Sequence, residues 1–118
     1  MSLENTNVVI VVFAMPGCPA CEDYLPRLHK QIDGYRKLGY PFIVHDGESE
    51  LPVAAIPILI YDATSQDQSV QSFADRHKIT GLPTTIVLPR YGVVTKYEGT
   101  LTNEQIYGIL NMAIATNN

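Results

Sequence analysis

Apolar positions run without a break from Val8 to Ala14 (VVIVVFA) and stop at Met15-Pro16-Gly17. A valine-rich run with no polar residue on either alternating face predicts a central strand of a parallel sheet, covered on both sides. From Pro19 the period changes. Leu25, Leu28, Ile32 and Tyr35 recur at spacings of three and four, with Glu22, Asp23, Arg27, Lys30 and Gln31 between them, and this predicts an amphipathic helix to about Lys37. Pro26 falls inside it, where the ring removes one backbone hydrogen bond and is expected to kink the axis. Gly39 ends the element.

Residues 40–56 are punctuated by Pro41, Gly47 and Pro52, with Pro57 just beyond, and carry at most a short strand at 42–45. They are read as an insertion, a hairpin being one form open to it. Residues 57–62 (PILIYD) give the next strand, and residues 69–78 a short helix whose inward face is Val70, Phe73, Ala74 and His77. Two β-rich runs, 84–88 and 93–98, are joined by Pro89, Arg90, Tyr91 and Gly92, which predicts an antiparallel pair. Thr102 with Gln105 has the form of a capping box, and Leu101 with Ile106 can staple the approach to a last helix. The apolar face of that helix is Ile106, Ile109, Leu110, Ala113 and Ile114. The order is strand, helix, strand, helix, strand, strand, helix, with residues 1–7 as a flexible tail and 8–118 as one domain.

Composition narrows the function. A chain of 118 residues, 46% of them hydrophobic, suits a single core. Eight Lys plus Arg against twelve Asp plus Glu give a formal charge of −4, the wrong sign for gripping nucleic acid through its phosphates. The apolar run at residues 8–15 is too short to span a bilayer. It also lacks the cationic flank of a signal sequence, since residues 1–7 contain Glu4 and neither Lys nor Arg. Neither nucleic acid nor membrane is expected as a partner. The default compartment is the cytoplasm, although a mature chain whose leader has been removed reads the same way. A monomer is expected, the alternative being a dimer through an edge carrying Phe42, Ile43 and the 57–61 strand.

The chemistry lies in Cys18 and Cys21. Two cysteines are too few for a disulfide scaffold, and at this spacing they close a loop too small to stabilise the chain much. At the start of a helix, unpaired backbone N–H groups and the positive end of the dipole favour a thiolate over a thiol. The first cysteine of such a pair has a pKa lowered from about 8.5 to between roughly 3.5 and 7.5. Cys21, one turn on, is placed to resolve the mixed disulfide that Cys18 forms. Glu22 and Asp23 oppose a negative charge on Cys18, and Pro19 has no N–H and Ala20 no side-chain donor to offer it. A modest pKa depression is expected, with a preference for reducing other disulfides. A zinc site needs a second cysteine pair or paired histidines, whereas His29, His45 and His77 are scattered, so no metal is expected. A chemically silent pair of cysteines is the remaining alternative.

The motif FAMPGCPAC after a buried strand, Pro26 five residues past Cys21, and ITGLPTTIVLPRYGVVTKYEGTLTNEQI together resemble the thioredoxin superfamily over residues 8–37 and from 57 to the end. The resemblance implies an α/β, thioredoxin-like fold: a central mixed β-sheet of about four strands flanked by helices. It implies that Gly81, Leu82 and Pro83 form the family's cis-proline loop beside the active-site disulfide, and that Leu82 presents its backbone to a partner's extended chain. Gly99 matches a glycine flanking the family's binding groove, and Gly17 and Pro19 complete the expected docking surface. Three residues depart from thioredoxins proper: Val12 stands where they bury an aspartate, Gly17 replaces a tryptophan, and Pro19 is more like glutaredoxins.

By that resemblance the chain is a thiol-disulfide oxidoreductase that reduces protein disulfides through Cys18 and Cys21, with no cofactor beyond that redox pair. Its partners are protein disulfides or dithiols, and a reductase or glutathione that supplies electrons. The alternatives are a glutaredoxin-like, glutathione-dependent reductase and a non-catalytic interaction module.

Overall fold

The computed structural model describes residues 6–45 and 50–118. Its elements are β1 (Val8–Ala14), α1 (Pro19–Lys37), β2 (Phe42–Val44), β3 (Ile56–Asp62), α2 (Gln68–Arg76), β4 (Thr84–Pro89), β5 (Thr95–Glu98) and α3 (Asn103–Asn117). They form one five-stranded sheet in the order β2-β3-β1-β4-β5. β2, β3 and β1 run parallel, β4 pairs antiparallel with β1, and β5 pairs antiparallel with β4.

The unbroken apolar run of β1 follows from its central place. Val8, Ile10 and Val12 join the core formed with α1 and α3, which includes Tyr24, Leu28, Ile32, Ile106 and Leu110. Val9, Val11 and Phe13 point to the opposite face, against Val70, Phe73 and Ala74 of α2. Side chains alternate along a strand, so a strand covered on both faces has no position left for a polar residue.

The sheet has one strand more than the expected four. Phe42–Val44 pairs in parallel with β3, in the register Phe42↔Ile56 and Val44↔Ile58, so the start of the 40–56 stretch supplies an edge strand of the sheet and is not one arm of a hairpin with β3. It matches the short strand read at 42–45, though with only Phe42 of its three residues buried the pattern carries no period of its own. Pro57 is tolerated because the pairing of β3 with β1 begins one residue later, at Ile10↔Ile58. Gly47 and residues 1–5 of the expected tail lie outside the described residues. The last two tail residues are held: Thr6 is buried, and Asn7 bonds Asn117 through its side chain and Arg90 through its carbonyl.

α1 continues through Pro26. The proline sits on the exposed face, where the Glu22 carbonyl it leaves unpaired can be hydrated. The inward stripe of α1 is Cys21, Tyr24, Leu28 and Ile32, with Leu25 and Tyr35 half-buried beside it. At the other end of the chain, Thr102 and Gln105 form the capping box of α3, each backbone N–H donating to the other's side-chain oxygen at 2.8 and 3.1 Å.

Candidate active site

The end of β1 and the start of α1 are joined by an exposed turn, Met15-Pro16-Gly17. Gly17 has φ +79°, a left-handed conformation open to glycine at little cost. The turn delivers Cys18 to the N-cap of α1 with extended backbone angles, and its Sγ accepts the Cys21 backbone N–H at 3.2 Å. Pro19 follows in the first turn, where a missing N–H costs nothing. Cys18 and Cys21 are joined as a disulfide with Cα atoms 5.2 Å apart. Their exposure differs, at 9% for Cys18 and 1% for Cys21. Cys18 is thus the more exposed of the two sulfurs to an incoming group.

A second segment comes to the same place from far along the chain. Leu82 packs against the small cluster of Ala14, Cys18 and Cys21. The Leu82–Pro83 peptide bond is cis. Its loop is pinned on both sides: the Thr84 hydroxyl donates to the Gly81 carbonyl at 2.7 Å, and the Gly99 N–H donates to the Pro83 carbonyl at 2.8 Å. Gly99 itself has φ +87°. Among the described residues, neither the backbone N–H nor the C=O of Leu82 has a hydrogen-bond partner within the chain. In a half-buried residue beside a disulfide, a backbone with both groups unpaired is a place where an extended peptide can pair.

One pair of residues outside the expected set ties these two segments together. Tyr24, one turn past Cys21, is fully buried, and its hydroxyl lies 2.8 Å from Oγ1 of Thr85, two residues past Pro83. Burial raises the Tyr24 pKa, and the Thr85 hydrogen bond and the Arg27 charge oppose that rise only in part. Leu28 lies four residues past Tyr24, so helical spacing alone offers Tyr24 as well as Leu25 for the inward face. Its partner, 61 residues away, leaves no local signal.

Val12, fully buried, is paired with Ile60 on one side and Thr85 on the other, so the strand beneath the disulfide carries no acid at that position. The histidines do not converge on the site. His77 lies against Phe73, with 4.3 Å between ring centres and the planes tilted by 38°, and its pKa is lowered by burial and then by the charges of Arg76 and Lys96. His45 is buried beside β3, its N–H bonded to the Ile58 carbonyl. Among the described residues no group of three or more His, Cys, Asp or Glu is arranged to hold a metal, and no helix is long and apolar enough to cross a membrane.

Residues 2–114 match a family model described as a thioredoxin-like domain. No curated protein matches the sequence significantly. Among solved structures, the fold is similar to chloroplastic thioredoxin z, with a TM-score of 0.57 and 22% identity over 92% of this chain and 80% of that one. It is similar to thioredoxin-2 of the malaria parasite, with a TM-score of 0.61 and 16% identity over 90% and 82%. Thioredoxin of Fasciola hepatica gives 0.61 and 14% identity over 93% and 85%. At these identities the structural likeness speaks for the fold alone.

Proposed function

The chain belongs to the thioredoxin-like domain family, and from that premise we propose that it is a thiol-disulfide oxidoreductase that reduces protein disulfides. The observation that carries this reading is the joined pair itself: a more exposed Cys18 capping a helix, bonded to a buried Cys21, beside the unpaired backbone of Leu82.

In the reduced protein, Cys18 is the thiolate, favoured by the N–H groups and dipole at the start of α1. It attacks one sulfur of a substrate disulfide, forms a Cys18–substrate mixed disulfide and expels the other substrate sulfur as a thiolate, which takes up a proton. Cys21 then gives up its proton and attacks Sγ of Cys18. The internal disulfide forms, and the second substrate sulfur leaves and is protonated. Two electrons pass to the substrate, which ends as two thiols, and the protein ends in the disulfide form described above. A dithiol reductant, or two equivalents of a thiol such as glutathione, restores it. Gly81, Leu82, Pro83 and Gly99 hold the substrate backbone across Cys18, with Gly17 and Pro19 flanking the sulfur. The scheme uses no cofactor besides the two cysteines, and it suits a reducing compartment such as the cytoplasm.

Insulin reduction with dithiothreitol as donor tests the reading. The wild type accelerates it, Cys18→Ser abolishes the acceleration, and Cys21→Ser accumulates a mixed disulfide with substrate that is visible by mass. Full activity in Cys18→Ser overturns the scheme.

A further inference from the structure

A cavity of about 340 Å³ opens on the side of the disulfide away from the Leu82 loop, with Cys21 in its wall. Its place follows from the sheet order: β3 flanks β1 on one side and β4 on the other, and the cavity lies where β1 and β3 end, at the pair Ala14↔Asp62. Ala14 leaves it open, and Leu25, Ile60 and Tyr61 make its walls apolar. The ionisable side chains lining it besides Cys21 and Tyr61 are Glu22 and Asp62, both exposed and both acidic. Its size is at the low end of the range of about 300–1,000 Å³ for ligand pockets, suited to one long side chain.

We infer that this cavity is a specificity pocket for a lysine or arginine side chain of the protein substrate, close in sequence to the disulfide being reduced. This inference rests on the oxidoreductase reading above. An apolar wall with a carboxylate rim fits a side chain that is apolar along its stem and cationic at its end. The Asp62 carboxylate is fixed by the Thr64 hydroxyl and N–H, both on Oδ1. Those bonds hold its pKa below the usual carboxylate range and leave Oδ2 for a ligand. The positive end of the α1 dipole works against a cation here, but at about half a charge it is outweighed by two carboxylates. The nearby cation Arg27 is turned to Asp23 and Asn103. A substrate chain that pairs with Leu82 on the β4 side and crosses Cys18 leads towards this pocket on the β3 side.

The test uses disulfide-linked peptide homodimers that are identical except for one position within three residues of the cysteine, which holds lysine, arginine, norleucine or glutamate. Reduction by the protein with dithiothreitol is followed by chromatography. At one position, lysine and arginine peptides are reduced with a kcat/KM about fivefold above norleucine, and glutamate peptides fall below it. The ratio of lysine to norleucine is the quantity read, because Glu22 also acts on the sulfurs directly. That ratio falls towards one in the double variant Glu22→Gln/Asp62→Asn, in which the carboxamide oxygen can keep the bonds from Thr64, and falls likewise in about 0.5 M salt. Equal rates for lysine and norleucine at every position, a preference for norleucine, or a preference for glutamate overturns the pocket while leaving the chemistry standing. If no peptide is reduced at all, the oxidoreductase reading fails first and the pocket with it.

Discussion

Replacing Tyr24 by phenylalanine deletes one oxygen from the molecule and tests how the two halves of the site are held together. The hydroxyl is buried, and so is its partner, the Thr85 hydroxyl at 2.8 Å. Removing it leaves Thr85 buried without that partner, which costs about 1–3 kcal/mol, more than the roughly 1 kcal/mol net value of a hydrogen bond. In a chain of this size each 1 kcal/mol lowers Tm by about 4 °C. Tyr24→Phe is therefore expected to melt several degrees early, with a lower urea midpoint and an unchanged m-value. Thr85→Val strands the Tyr24 hydroxyl instead and costs a similar amount. The double variant replaces both partners with apolar groups of like shape and recovers most of the loss. The alkaline side gives a second readout. The folded pKa of Tyr24 lies above its unfolded value near 10, so its contribution is intact below pH 10 and is lost as pH rises from there through the folded pKa. Tyr24→Phe removes that part of the alkaline loss. Single variants as stable as wild type, or strictly additive losses in the double variant, refute the argument.

His77 supplies the acid-side counterpart. Its folded pKa is below its unfolded value near 6.5, so the unfolded chain binds the proton first and stability falls as pH drops below about 6.5; thermal melts of His77→Gln should show a flatter slope there. Phe13→Ala empties a site enclosed by Tyr61 and Phe73, whose ring centres lie 5.4 and 5.7 Å away, and is expected to cost about 3–5 kcal/mol by urea denaturation. Thr102→Ala breaks the capping box of α3 and should cost about 1 kcal/mol with no change in disulfide reduction.

How much of this is legible in the sequence depends on how local each signal is. β1 and α1 are long enough for their periods to be read, and the cysteine spacing and the capping box are strings of four residues, so all four stand plainly in the chain. β2 is only half-legible, because a three-residue edge strand with one buried side chain has no period, and its pairing is set by β3, which begins twelve residues on. The Tyr24–Thr85 bond and the cavity beside Cys21 are not legible at all. Both arise where β1, β3 and β4 bring distant residues side by side, and no spacing along the chain encodes that. Helical spacing offers both Tyr24 and Leu25 for the inward face; in the fold Tyr24 is fully buried, its hydroxyl paired with Thr85 on β4, and Leu25 is half-buried.

In the proposed scheme the residue that caps α1 is also the residue that reacts. Sγ of Cys18 does for this helix what a serine or aspartate oxygen does for others, so each turnover alters the group that terminates the helix: a charged acceptor in the thiolate, a weaker one in either disulfide. For the same reason serine is a structurally gentle replacement here, since it is among the preferred residues at that position. A Cys18→Ser protein should fold with its first turn intact, and an inactive one reports missing sulfur chemistry and not a damaged helix.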